Sequence, residues 1–125
     1  IRWTGRRVFN HSGHAIIWIS DLAYFVGGMF LANAVPHFVH GVAGKPFQSP
    51  FARPRGIAQS SSVVNMAWAL VNLVIAWLLL ARVGSFDLRD LGDALSLGIG
   101  VAFIGLFLAY HFGRHNAGNS PATTP

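Results

Sequence analysis

Long apolar runs alternate with short polar interruptions along the whole chain. Three of the runs, residues 15–39, 62–81 and 94–112, are long enough to cross a bilayer core, which takes about 20 helical residues. None carries turn signals at strand-like intervals, and an open strand leaves its backbone unsatisfied in lipid, so all three are expected to be helices. The pattern predicts an all-α integral membrane protein: one three-helix bundle over residues 1–115, followed by a disordered tail over 116–125.

The interruptions set the connectivity. Arg82 marks the end of the second helix at headgroup level, and only residues 82–93 separate it from the third, which predicts that helices two and three are antiparallel neighbours. Asp93 is the expected N-cap of helix three, its carboxylate accepting from the first free backbone N–H groups. The longer connection, residues 41–61, carries Pro46, Pro50 and Pro54 at four-residue spacing, with Phe47 and Phe51 after the first two. It predicts an extended interfacial loop whose aromatics dip toward acyl chains while Lys45, Arg53 and Arg55 meet phosphates or dock a partner.

Helix faces refine the picture. Asn65, Ala69, Asn72 and Ala76 repeat at steps of four, three and four, so small and amide side chains share one stripe that must face protein. Gly98, Ala102, Gly105 and Ala109 form a similar stripe on helix three, and helix one offers Ser20, Ala23, Gly27 and Ala34 on one side and Asp21, Gly28 and Ala32 on another. These faces serve either packing within the bundle or contact with another subunit.

Composition agrees with lipid as the solvent. Of 125 residues 53% are hydrophobic and 10% charged, with a mean hydropathy of +0.48, whereas a water-soluble domain carries about 25% charged residues. The net charge is +5, but the basic residues, all Arg except Lys45, are scattered between apolar runs and make no nucleic-acid face. Arg2, Arg6, Arg7, Arg82 and Arg89 fall on the side of the N-terminus, against Lys45, Arg53, Arg55 and Arg114 on the other. That narrow excess favours a cytoplasmic N-terminus. The twin-arginine-like segment at residues 4–10 and the Ala32-Asn33-Ala34 sequence resemble a cleavable signal, yet Asp21 interrupts its apolar core, so the segment is expected to be retained. With no cysteine, thiolate metal sites and Cys nucleophiles are excluded.

The candidate chemistry lies in Asp21, Asn33 and the histidines. Asp21 is the single acid within a span, and a carboxylate at the bilayer centre costs roughly 2.5–3.5 kcal/mol, so it is read as facing protein, water or the nearer interface. It either partners a proton or cation, or hydrogen-bonds Ser20, Asn65, Asn72 or a Trp N–H. The histidines pair as His11 with His14, His37 with His40, and His111 with His115. The topology brings His37, His40, His111 and His115 to one membrane surface, where imidazoles suit zinc, copper or iron, or supply an axial ligand to haem. Interfacial histidines without such a role are the plain alternative. Asn33, His37 and His40 share a face at steps of four and three, and Pro36 removes a helical N–H there, predicting a kink or an exit from the membrane.

The run Asn33-Ala34-Val35-Pro36-His37-Phe38, followed by Gly41, Gly44, Pro46-Phe47 and Ser49-Pro50-Phe51, resembles a pattern in small bacterial inner-membrane proteins and covers about a fifth of the chain. The resemblance implies a bacterial inner-membrane location and a defined loop, and it brings no activity. No phosphate loop, nucleophile elbow, paired carboxylate or zinc-protease motif stands anywhere in the chain. The expected function is therefore a small non-catalytic accessory or scaffolding subunit, with lipids and other integral membrane subunits as partners. The alternatives are a redox or oxygenase-type component holding metal or haem through its histidines, and a minimal oligomeric transporter using Asp21 and the Asn stripe.

Overall fold

The computed structural model describes residues 11–116, with side chains from residue 17 onward. Trp3, the arginines at 2, 6 and 7 and residues 117–125 of the expected tail lie outside the described residues, as do the side chains of His11 and His14; Asn116, expected to open the tail, instead caps α3. The order is α1 (His11–Val42), β1 (Phe47–Gln48), β2 (Gln59–Ser60), α2 (Ser62–Ala81) and α3 (Leu91–His115). All three helices contain a stretch long and apolar enough to cross a membrane. At 32 residues, α1 is the longest, about 48 Å from end to end. It continues through Pro36 to Val42, so His37, His40 and Gly41 all stay on the helix.

The helix order differs from the one the short connection predicts. α1 packs against both α2 and α3, while α2 and α3 scarcely touch each other. The connection over residues 82–90 passes across α1 instead of turning back directly. Phe86 meets Tyr24 edge-on with ring centroids 5.0 Å apart, and Gly84 lies so close to Ser20 and Tyr24 that a Cβ would strike their hydroxyls. Nine extended residues span up to roughly 30 Å, enough to step over one helix. A short loop bounds the separation of two helices and leaves open whether a third lies between them.

The same contact places Asp21. Its neighbours Ser20 and Tyr24 face the α2–α3 connection, so Asp21 stands at the level where α2 has already ended, near the membrane boundary rather than the hydrocarbon centre. It is half-buried.

Helix ends follow from local chemistry. Ser61 caps α2, its hydroxyl accepting from the Val64 N–H at 3.3 Å. α3 starts three residues earlier than the sequence pattern suggests, because Asp90, not Asp93, is the N-cap; its carboxylate accepts from the Asp93 N–H at 3.0 Å. Asp93 instead reaches back to accept from the Asp87 N–H at 2.9 Å. The Asp90 N–H itself donates to the Asp87 carbonyl at 2.9 Å, so Asp93 ties the loop before the cap rather than the cap residue.

Glycines set how closely the helices approach. At the α1–α3 crossing Gly100 is the one fully buried residue of α3, and a Cβ there would lie 2.8 Å from the carbonyl carbon of Phe25 and closer still to its oxygen. Gly28 answers from α1, against the backbone of Leu97 and Val101. On the other flank Gly41 lets α1 meet the backbone of Met66 in α2. The core between α1 and α2 is built from Ala34, Ala69 and Ala76 together with Asn65 and Asn72.

Candidate functional site

The connection over residues 43–61 is a small folded unit. β1 and β2 pair antiparallel, Phe47 opposite Ser60 and Gln48 opposite Gln59. The tip returns through Gly56, whose φ of 72° lies in the left-handed region that glycine adopts without strain. The buried Ser49 ties the unit internally, its hydroxyl bonding Ser60 and accepting from the Phe51 N–H. Phe47 does not dip toward acyl chains. It is buried between the helices, stacked on His40 at 4.0 Å and packed on His37 at 5.5 Å and Phe112 at 4.6 Å. The physical reason is that an aromatic ring finds more contact in the gap left between α1 and α3 than at a headgroup boundary.

Asn65 joins this unit to the helices. Its side-chain Nδ2 donates toward the carbonyls of Phe47, Ser60 and Ser61 at 3.0–3.1 Å. Three carbonyls around one end of the amide fix that end as nitrogen, so Oδ1 faces His37 Nδ1 at 2.7 Å. His37 must therefore donate from Nδ1, which leaves the Nε2 of the neutral ring with a lone pair. His37 is 3% exposed. One turn further in, Asn33 Nδ2 donates to Asn72 Oδ1 at 2.9 Å, and Asn72 donates to the Trp68 carbonyl at 2.7 Å. Both amides of the α2 stripe thus find hydrogen-bond partners within the chain.

From the far side α3 closes the arrangement. His111 Nε2 donates to the Gly56 carbonyl at 2.7 Å. Gln48 and Asn116 exchange amide hydrogen bonds, the shorter at 2.7 Å. Between α2 and α3, floored by α1 and roofed by the hairpin, lies a cleft of about 270 Å³ lined by Asn33, His37, Ser49, Trp68, Phe107 and His111 among others.

The four histidines expected at one surface all lie at the hairpin end. Among the described residues no group of three His, Asp or Glu side chains is placed to hold an ion. Each ring has a separate task. His37 bonds Asn65, His40 donates from Nδ1 to the Pro36 carbonyl at 2.8 Å, His111 holds Gly56, and the exposed His115 leans on His111 with centroids 4.8 Å apart. Phe47 fills the space between the α1 pair and α3.

Lys45, Arg53 and Arg55 are exposed around the hairpin. The α3 stripe lies outward as well. Ala102 and Ala109 are exposed, and a Cβ at Gly98 or Gly105 would meet nothing within 4 Å. The stripe therefore does not pack within the bundle; the face that does carries Leu97, Gly100, Ile104 and Leu108. Sequence reasoning missed Gly100 and Gln48, placed Asn116 in the tail, and named Ser49 only within the motif, without a role. Gly100 had a signal, as a third small residue between Gly98 and Ala102.

Comparison with protein-family models, with curated proteins and with solved structures finds no match to this chain.

Proposed function

We propose that the chain is a non-catalytic accessory subunit of a bacterial inner-membrane complex, which docks a helix of another subunit on the outward stripe of α3. The N-terminus is cytoplasmic, and the hairpin presents Lys45, Arg53 and Arg55 to headgroups or to the same partner on the opposite side. The observation that carries this reading is the stripe itself. Gly98, Ala102, Gly105 and Ala109 leave a shallow groove open along the span, and Gly100, on the opposite packing face, is the one residue of α3 that is fully buried. Membrane helices associate by close backbone approach over small residues, with no hydrophobic drive to assist them, so such a groove is worth most where another helix fills it.

The test is Ala102→Trp, which fills the groove without touching α1 or α2. Membranes are solubilised in mild detergent and the native particle is sized. The parent is expected to migrate with partner mass and the variant as the free chain, while both unfold at the same detergent concentration. Parent and variant running alike as a free chain, or alike in a larger particle, contradicts the proposal.

A further inference from the structure

The cleft beneath the hairpin holds a group that nothing in the fold uses. His37 is almost wholly buried, its Nδ1–H is engaged by Asn65, and no group among the described residues bonds its Nε2. The ring lines the cleft, so this lone pair is a hydrogen-bond acceptor whose tautomer is fixed before any ligand arrives. We infer that the cleft binds the hydroxylated ring of a lipid-soluble quinol, with His37 Nε2 accepting from one ring hydroxyl and Trp68 and Phe107 flanking the ring.

Four features narrow the ligand to that class. The bound atom must carry a hydrogen, because the fixed tautomer offers only an acceptor. Asn33 adds a second acceptor, since its Nδ2 is committed to Asn72 and its Oδ1 is not. The ligand is uncharged, because no Lys, Arg, Asp or Glu is among the lining residues and an unpaired ion would be desolvated there. It contains a flat ring of modest size, because the walls carry Trp68, Phe107 and Phe112. A cleft of about 270 Å³ exceeds the roughly 150 Å³ that holds benzene by enough for ring substituents. Entry is lateral, because α2 and α3 do not close on each other over α1, so a ring carrying an apolar tail can arrive from the lipid and leave its tail there.

The test first reads binding with His37 intact. Trp3, Trp18 and Trp77 are replaced by Phe so that Trp68 alone reports, and a companion variant retaining only Trp77, which is exposed on α2, reports partition into the bilayer. In nanodiscs, Trp68 fluorescence is titrated with decyl-hydroquinone, with decyl-benzoquinone and with the dimethyl ether of the hydroquinone. The last two have similar shape and no donor. Saturable quenching of Trp68 by the hydroquinone is expected at a concentration at least tenfold below that for either analogue, with Trp77 quenched linearly and equally by hydroquinone and ether. His37→Phe is expected to abolish the tenfold preference. Equal half-saturation by hydroquinone and ether, or Trp68 quenching that is linear like that of Trp77, overturns the inference.

Discussion

Substituting Ala for Gly100 and, separately, for Gly98 distinguishes the two faces of α3 with a single methyl group. The two positions lie two residues apart in the same span, so their effects on insertion are nearly the same. At Gly100 the added Cβ would lie 2.8 Å from the Phe25 carbonyl carbon, whereas unstrained carbon atoms rest about 3.5–4.0 Å apart. α3 must retreat from α1 by roughly 1 Å, and a gap of that size forfeits a quarter to a half of the dispersion energy of neighbouring contacts. The tilted Phe25–Phe103 pair, 5.9 Å between centroids, is the first to loosen. Overpacking of this kind costs about 1–3 kcal/mol. At Gly98 nothing lies within 4 Å, so replacing Gly by Ala in mid-helix is neutral or stabilises by up to about 1 kcal/mol. Unfolding by titration of SDS into mixed micelles, followed by tryptophan fluorescence, is expected to separate the two variants by about 1–4 kcal/mol. Equal stabilities, or a greater loss at Gly98, would refute the assignment of the packing face.

Three other outcomes are expected. Asn65→Leu removes the acceptor for His37 and the donor to three carbonyls, and in the same SDS titration it is expected to cost about 2–4 kcal/mol, because a buried polar group left unpaired costs about 1–3 kcal/mol and more than one is orphaned. Phe47→Ala empties the gap among His40, His37 and Phe112 at a cost of about 3 kcal/mol; Lys45 and Arg53 both precede proline, so tryptic cleavage of the hairpin falls after Arg55 and is expected to accelerate at least tenfold on gels. Asp90→Ala removes the α3 cap and is expected to cost about 1 kcal/mol, whereas Ala at the exposed Asp87, whose carboxylate accepts from the Arg89 N–H in the connecting loop, costs less.

The spans were legible because hydropathy over 20 residues depends on no partner. The α2 stripe was legible for a related reason: an Asn amide in an apolar helix is unfavourable against lipid, so Asn65 and Asn72 announced a protein-facing side. On α3 that logic had no purchase. Glycine and alanine are tolerated on either face, and spacing alone does not tell which glycine meets a backbone; the repeat through Gly98 and Gly105 is more regular than the isolated Gly100, and it is the isolated one that packs. The bonds from Asn65 to His37 and from Asn33 to Asn72 cross 28 and 39 residues, a range over which pattern carries no signal. The Pro-Phe repeat read as interfacial because Phe47 and Phe51 look alike in sequence. In the fold one is buried in the bundle, and the other is exposed with its ring edge-on to Trp68 at 5.2 Å. The residues of the motif from Asn33 to Phe51 nevertheless converge. Asn33, His37, Phe47, Ser49 and Phe51 all take part in the contacts that join the hairpin and α2 to α1.

The most direct test of the docking function is photocrosslinking in intact membranes. A photoreactive amino acid is placed at Ala102 on the outward stripe of α3 or, as a control, at Val74 on the exposed face of α2. The account predicts a discrete protein adduct at Ala102 and only lipid adducts at Val74. Lipid adducts alone at Ala102, or the same protein adducts at both positions, would contradict it.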